Sequence, residues 1–370
     1  MTITHKRSRI GRNSAAAANG VVFESAARSL NGVRAARDGG TSVTKVAEQW
    51  RNTSQERIAG RVAEELHAAT FNIDASAKGL NAVRATTGAS VGMSTASADV
   101  TISDAGKLIE QVQVKYHGRP TSTVFDVANV KYDRMQRVVP ADQVARVREI
   151  AAARKMDGLG QRNYPEVAKS ASDRVRARGA ESAPLSRAEA LEAATSPQDV
   201  ARRMVSQQAA NAVKNGALVG AAVGGGVSAI TNLVAFADGK KTGETALVET
   251  LKDTIECAAT GGAVSGAAVV AEVALIQAGA GAFAAGAAPV AIALTAVELG
   301  KDVGRLCGGS ISGEKFLTRA GGHVAKGAIT WGAMEGGAAL GTLVCPGVGT
   351  IIGGVVGGIA GSLFGGWLFD

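Results

Sequence analysis

The sequence predicts two parts of different class. An α/β N-terminal domain (helix, mixed sheet, helices) leads into an all-α, Gly/Ala-rich region of transmembrane helices. Three observations carry this expectation. The first is charge: residues 206–370 hold 9 of the 40 Lys+Arg and 11 of the 32 Asp+Glu, a net of −2, so residues 1–205 hold 31 and 21, a net of +10. The second is glycine, 34 of the 48 lying in residues 206–370. The third is a stretch of strict alternation, 97–117, that reads as two strands and a tight turn. A basic, polar front and a nearly uncharged back argue for two environments, one aqueous and one apolar.

In chain order, residues 1–45 are basic, lack a sustained apolar period and read as a flexible tail suited to an anionic polymer or lipid surface. A domain over 46–155 follows. Ile58, Val62, Leu66 and Ala69 form one helical stripe in 54–71, with Ser54 as the expected N-cap. Residues 75–96 are small and polar and hold at most one weak strand. After the hairpin come a helix over 121–130, a short strand over 136–140 closed by Pro140, and an amphipathic helix over 141–155. Helix, strands, helix, strand, helix is the order of a small α/β domain. Residues 156–205, broken by Pro165, Pro184 and Pro197, read as a charged linker with short helices.

From 206 on the chain changes character. Gly216–Ala237, Val273–Val297 and Gly336–Phe369 are uncharged over about 22, 25 and 34 residues, against the about 20 a membrane helix needs. Gly216, Gly220 and Gly224 recur every fourth residue, as do Gly353, Gly357, Gly361 and Gly365. Residues four apart stack on one helix face, and glycine there lets two backbones approach where lipid supplies no hydrophobic drive. In a water-exposed helix each such glycine costs about 1 kcal/mol against alanine. The expectation is a glycine-zipper membrane region, a lipid bilayer as partner, and association between copies through these helices.

Several chemistries are excluded. Cys257, Cys307 and Cys345 lie in the apolar part with no close spacing, so there is no disulfide framework or zinc knuckle. Four histidines do not make a multi-histidine metal site. No G-x-x-x-x-G-K-[ST] loop is present, and no Ser/His/Asp or Cys/His arrangement stands out.

The hairpin carries chemistry instead. Its turn signal is Asp104-Ala105-Gly106. On the second strand Gln111, Gln113, Lys115 and His117 share one face, and Val112, Val114 and Tyr116 the other. With the turn centred near Gly106, Asp99 lies opposite Gln113 at roughly 5 Å between side chains, and Lys115 is next on that face. An acid, an amide oxygen and an ammonium over an apolar sheet suit metal-assisted phosphodiester hydrolysis. A Mg²⁺-type cation takes hard oxygen ligands, neutralises developing charge and activates water. A lysine adds positive charge where the transition state becomes negative.

Asp99 followed by Gln113-Val114-Lys115 resembles the restriction-endonuclease-like PD-(D/E)XK nuclease superfamily, in the D…QxK form of its Mrr-type members. The resemblance covers roughly residues 50–155. It implies that Asp99 binds metal, that Gln113 offers its amide oxygen in place of a second acid, and that Lys115 orients the attacking water. It also implies an acid on the preceding helix, Glu65, with Glu64 the alternative. Ala98 stands where the family has proline. His117, Arg119, Lys131 and Arg134, with Arg137, are the expected backbone contacts to nucleic acid.

The function these readings imply is a membrane-anchored nuclease using Mg²⁺ or Mn²⁺ on DNA, in defence against invading DNA or as a toxin. Its catalytic domain would face the cytoplasm from a bacterial inner membrane. The alternative is a non-enzymatic membrane or pore-forming protein with a nucleic-acid-binding or regulatory front domain.

Overall fold

The computed structural model describes residues 2–88, 98–154, 161–237 and 288–307, with scattered positions in 242–272 and 310–332; side chains are described from Ser25 onward, but not in 220–237 or at 288, 294, 300, 303, 304, 306 and 307, where the helix backbone alone is described. The chain divides into two compact units, Asn31–Gln208 and a second made of Met1–Leu30 with Ala209–Asp370.

The first unit is built around one helix. Helix α1 (Thr2–Gln49) is followed by α2 (Gln55–Ala77), then β1 (Val83–Thr87), β2 (Val100–Asp104), β3 (Lys107–Val114), α3 (Pro120–Val127) and β4 (Gln136–Val138). Then come α4 (Val144–Ala152), α5 (Tyr164–Ser170), the small hairpin β5 (Arg176–Ala177) and β6 (Ala180–Glu181), and α6 (Arg187–Thr195), before α7 (Pro197–Ala237) begins. The sheet runs β1-β2-β3-β4, antiparallel except for the parallel pair β3–β4.

Helix α2 is buried at every residue from Val62 to Ala69. Its stripe of Ile58, Val62 and Leu66 packs with Val100, Ile102, Val112 and Val114 of the sheet, and its other sides meet Val43 and Ala47 of α1 and Ala190 and Ala193 of α6. A helix covered on all sides is central. A second cluster joins α3, α4 and α5 through Val124, Val127, Val147 and Val167.

The hairpin forms as alternation dictates. Val100 and Ile102 are fully buried, and Thr101 and Ser103 only partly. Ala105 and Gly106 both take positive φ, 48° and 81°, as a two-residue hairpin turn requires. The register pairs Val100 with Val112, which sets Asp99 across from Gln113. An irregularity between Ile102 and Ser103 absorbs one extra residue of β3.

Three expectations need correction. Residues 2–45 form part of α1 rather than a flexible tail. Leu30, Val33, Ala36, Val43 and Ala47 are buried along it; the stripe is mostly alanine and valine, so it carries little amphipathic signal. Within 156–205, the linker reading gives way to α5, β5–β6 and α6. Val175, Ala180, Ala190 and Ala193 there enter the main core.

The third correction concerns the fold class. The described chain is mostly helical with a small mixed sheet, and no described helix is long and apolar enough to cross a membrane. Helix α7 includes Gly216–Ala237 but begins with Arg202, Arg203 and Lys214. Helix α8 (Ala288–Cys307) carries Glu298, Lys301, Asp302 and Arg305. Asp302 is buried and accepts from Arg305 Nη1 at 2.8 Å, Arg319 Nη1 at 3.0 Å and His323 Nε2 at 2.9 Å. In the second unit, Ala26 and Leu30 pack with Val264, Ala268, Val290 and Ala293. Gly216 is buried in α7, and Gly220 and Gly224 follow in the same helix. Gly353, Gly357, Gly361 and Gly365, with the rest of 336–369, lie outside the described residues.

Candidate active site

Asp99 stands one residue before β2 and continues its ladder with both backbone and side chain. Its N–H donates to Val112 O at 3.0 Å, and its carboxylate Oδ2 accepts the Val114 N–H at 2.9 Å. The same oxygen accepts a hydrogen bond from Gln113 Nε2 and one from Lys115 Nζ at 3.2 Å. The three residues expected to act together therefore share one oxygen atom. Charge-assisted bonds of this kind are about twice as strong as neutral ones, so the cluster is held in place. Lys115 Nζ also donates to Val114 O at 3.2 Å and lies 5.4 Å from the centre of the Tyr132 ring.

Gln113 is only 2% exposed. Its amide donates to Asp99, yet its Oε1 is buried and accepts no hydrogen bond. A buried amide oxygen left without a donor costs about 1–3 kcal/mol. It is an oxygen suited to a cation.

The acid brought to this centre from α2 is Glu64, not Glu65. Glu64 is buried and accepts from Arg61 Nη1 at 3.2 and 3.3 Å. Burial first, then the negative charge of Asp99, pushes its pKa up to about 8, against the pull of Arg61 and Lys115. Glu65 instead accepts from Thr87 Oγ1 at 2.5 Å, at the end of β1. Its pKa is also raised by burial, with the Thr87 hydrogen bond and Lys45 opposing. Adjacent helical residues point about 100° apart, so the phase of α2 sorts the two acids, and only the fold fixes that phase.

One turn on from Glu64, His67 is fully buried, and no sequence signal marks it. Its Nδ1 lies 2.9 Å from Ser182 Oγ and its Nε2 2.9 Å from Tyr116 Oη. Tyr116 donates its own hydroxyl proton to Leu185 O at 2.8 Å. Tyr116 must then accept from Nε2–H, and Nδ1 accepts from Ser182. Burial lowers the His67 pKa to about 4, which keeps the ring neutral. The network ties α2 to the end of β3, next to Lys115.

The outer residues divide. Arg119, Lys131 and Arg134 are exposed, and Lys131 Nζ lies 4.8 Å from the Tyr132 ring, which Lys115 also approaches. His117 is partly exposed, with Nε2 at 2.7 Å from Asp126 Oδ2 but outside hydrogen-bonding geometry. Arg137 cannot meet a ligand. It pairs in register with Gln113, is 1% exposed, and donates to Val127 O at 3.1 Å and Asp133 Oδ1 at 2.5 Å.

Asp99 and Glu64 supply two carboxyl groups, and Gln113 Oε1 and Val114 O two neutral oxygens. All are hard donors of the type Mg²⁺ or Mn²⁺ takes. Among the described residues no group of three or more His, Cys, Asp and Glu is placed to hold a metal ion. The donor set fits a cation that keeps several of its waters. Comparison with protein families, curated proteins and solved structures finds no match.

Proposed function

We propose that the Asn31–Gln208 unit is a divalent-cation-dependent nuclease acting on DNA. The observation that carries this reading is the shared Asp99 oxygen, which gathers Gln113 and Lys115, beside the buried, unpartnered Gln113 Oε1. The element order α2–β1–β2–β3–α3–β4, with β4 parallel to β3, supports the resemblance to the restriction-endonuclease-like superfamily.

In this reading Asp99, Gln113 Oε1 and the Val114 carbonyl hold the cation, with Glu64 beside them. Such a cation supplies charge neutralisation at the phosphate and a more acidic bound water. Lys115, anchored by Asp99 and Val114 O, places an ammonium where a pentavalent phosphate gathers negative charge. Without a cation Glu64 holds its proton near neutral pH, and a cation bound beside it would favour the carboxylate. Tyr132 keeps one side of Lys115 apolar, which strengthens the field of its charge.

A second reading draws on Gln113 itself. An amide in place of an acid gives the centre one negative charge fewer, and its donation to Asp99 occupies a lone pair. A domain that binds nucleic acid without cleaving it would follow. Purified chain incubated with DNA and Mn²⁺ separates the two. Cleavage that is abolished by EDTA and by Asp99→Asn supports the nuclease, and salt-sensitive binding without cleavage supports the second reading.

A further inference from the structure

Next to the reaction centre the surface carries an aromatic–arginine pair with no structural duty in the core. Helix α3 turns Val124 and Val127 inward and Phe125 outward. Phe125 is 49% exposed, the only exposed large aromatic among the described residues. The guanidinium of Arg162 lies 4.0 Å from the centre of its ring, the separation of two stacked planes. Arg162 Nε is buried and without a hydrogen-bond partner, and Nη1 reaches only the neighbouring Gln161 O at 3.2 Å. A guanidinium with so few of its donors used is held by stacking.

The backbone under the pair is stitched down. Val130 N donates to Gln161 O at 3.1 Å, and Asn163 N to Ala128 O at 2.6 Å. Asn129 and Arg162 form an isolated antiparallel bridge. The pair is therefore a fixed surface, which costs little ordering when a ligand lands on it.

Its neighbours tie it to the centre. Asp126, next to Phe125, sits against His117, two residues beyond Lys115. Lys131, next to Val130, shares the Tyr132 ring with Lys115. The acids on this surface are engaged: Asp126 faces His117, and Asp133 takes Arg137 Nη2 and Asn163 Nδ2. Arg119, Lys131 and Arg134 remain exposed and form no ion pair among the described residues. A flat π surface with exposed cations close by in sequence on the same segments matches a nucleobase with its phosphates.

We propose that Phe125 and Arg162 form a stacking platform for an unpaired base, which directs the site to single-stranded nucleic acid. The proposal deepens the nuclease reading and rests on it for the meaning of the adjacent site. A base inside a duplex has both faces covered by its neighbours and cannot use the platform.

The test measures binding of a short fluorescent single strand, and of its duplex, to the full chain in EDTA by anisotropy. Phe125→Ala is expected to weaken single-strand binding by about 5- to 150-fold and to leave duplex binding within about twofold. Phe125→Trp, which keeps a ring, is expected to retain wild-type single-strand affinity and so controls for folding. An RNA strand of the same sequence tells which sugar is accepted, either one satisfying the proposal. Equal loss for strand and duplex, no loss for either, or no binding by the wild type overturns it. Cleavage in Mn²⁺ separates the two readings. If Phe125 governs strand binding yet nothing is cut, the nuclease fails and the platform stands. If DNA is cut and Phe125→Ala cuts single strands as fast as wild type, the platform fails and the nuclease stands.

Discussion

Glu64 is a carboxyl whose ionisation the fold opposes, and this gives a measurable sign. Burial and the charge of Asp99 raise its pKa from 4.5 to about 8. The unfolded chain releases this proton near the ordinary carboxylate pKa. Between those pH values the native state therefore binds more protons than the unfolded state. Stability falls as pH rises through the window and levels off above about pH 8. At about 1.4 kcal/mol per pH unit, the whole window is worth about 5 kcal/mol, of which about 2 kcal/mol falls between about pH 6.5 and 8.5. Glu64→Gln keeps the shape and the contact to Arg61 and removes the titration. In EDTA, the wild-type melting midpoint should drop between these pH values by on the order of 4–8 °C more than that of the variant. Thermal melts followed by circular dichroism at several pH values read this directly. Adding Mn²⁺ should restore wild-type stability at about pH 8.5 and do less for Glu64→Gln. Parallel pH profiles for the two proteins would refute the placement of Glu64 beside Asp99.

His67 pulls the other way: with its folded pKa lowered to about 4, the unfolded state binds the extra proton, so stability is lost as pH falls from about 6.5. His67→Gln should abolish about 2 kcal/mol of that acid loss, measured by melts between about pH 6.5 and 4.5, at a cost of stability near neutrality. A Cβ on Gly40 would lie 2.8 Å from Ala201 Cβ and 3.1 Å from its Cα, so Gly40→Ala should destabilise by about 1–3 kcal/mol in urea unfolding. Gly60 meets nothing within 4 Å, and Gly60→Ala should gain up to about 1 kcal/mol by helix propensity. Gln113→Glu should lower the metal-free melting midpoint, since Asp99 loses a donor, and tighten Mn²⁺ binding several-fold in calorimetric titration; unchanged Mn²⁺ affinity would remove Gln113 from the cation site.

The hairpin is legible in the sequence because two local signals agree. Alternation sets the faces, and centring the turn on Gly106 puts Asp99 opposite Gln113. In the structure Asp104 pairs with Lys107 across Ala105-Gly106, and the extra residue of β3 at Ile102/Ser103 is what brings Asp99 opposite Gln113. The irregularity at Ile102/Ser103 leaves no such trace, since one extra residue between paired positions changes no composition. The choice between Glu64 and Glu65 depends on what covers α2, and that helix is covered on all sides by parts distant in sequence. Helix α1 and the 161–195 segments escape a sequence reading for a related reason. Their buried residues are largely alanine and valine, such as Ala36, Val43, Ala47, Val175, Ala180, Ala190 and Ala193, small side chains that bury well and signal weakly. The glycine spacing reads as a membrane zipper, but close approach does not require lipid. Gly40 against Ala201 in α7 and Gly262 at 3.4 Å from Ala217 Cβ show glycine serving helix contacts in the described structure.

The central claim is that Asp99, Gln113 and Lys115 form a working phosphodiesterase centre. The most direct measurement is cleavage of DNA by the purified full chain in Mg²⁺ or Mn²⁺, with Lys115→Ala assayed beside it. The wild type should cut, and Lys115→Ala should be slower by on the order of a hundredfold or more while melting normally. Intact DNA and RNA in both metals, or a Lys115→Ala variant that cuts at the wild-type rate, would contradict the claim.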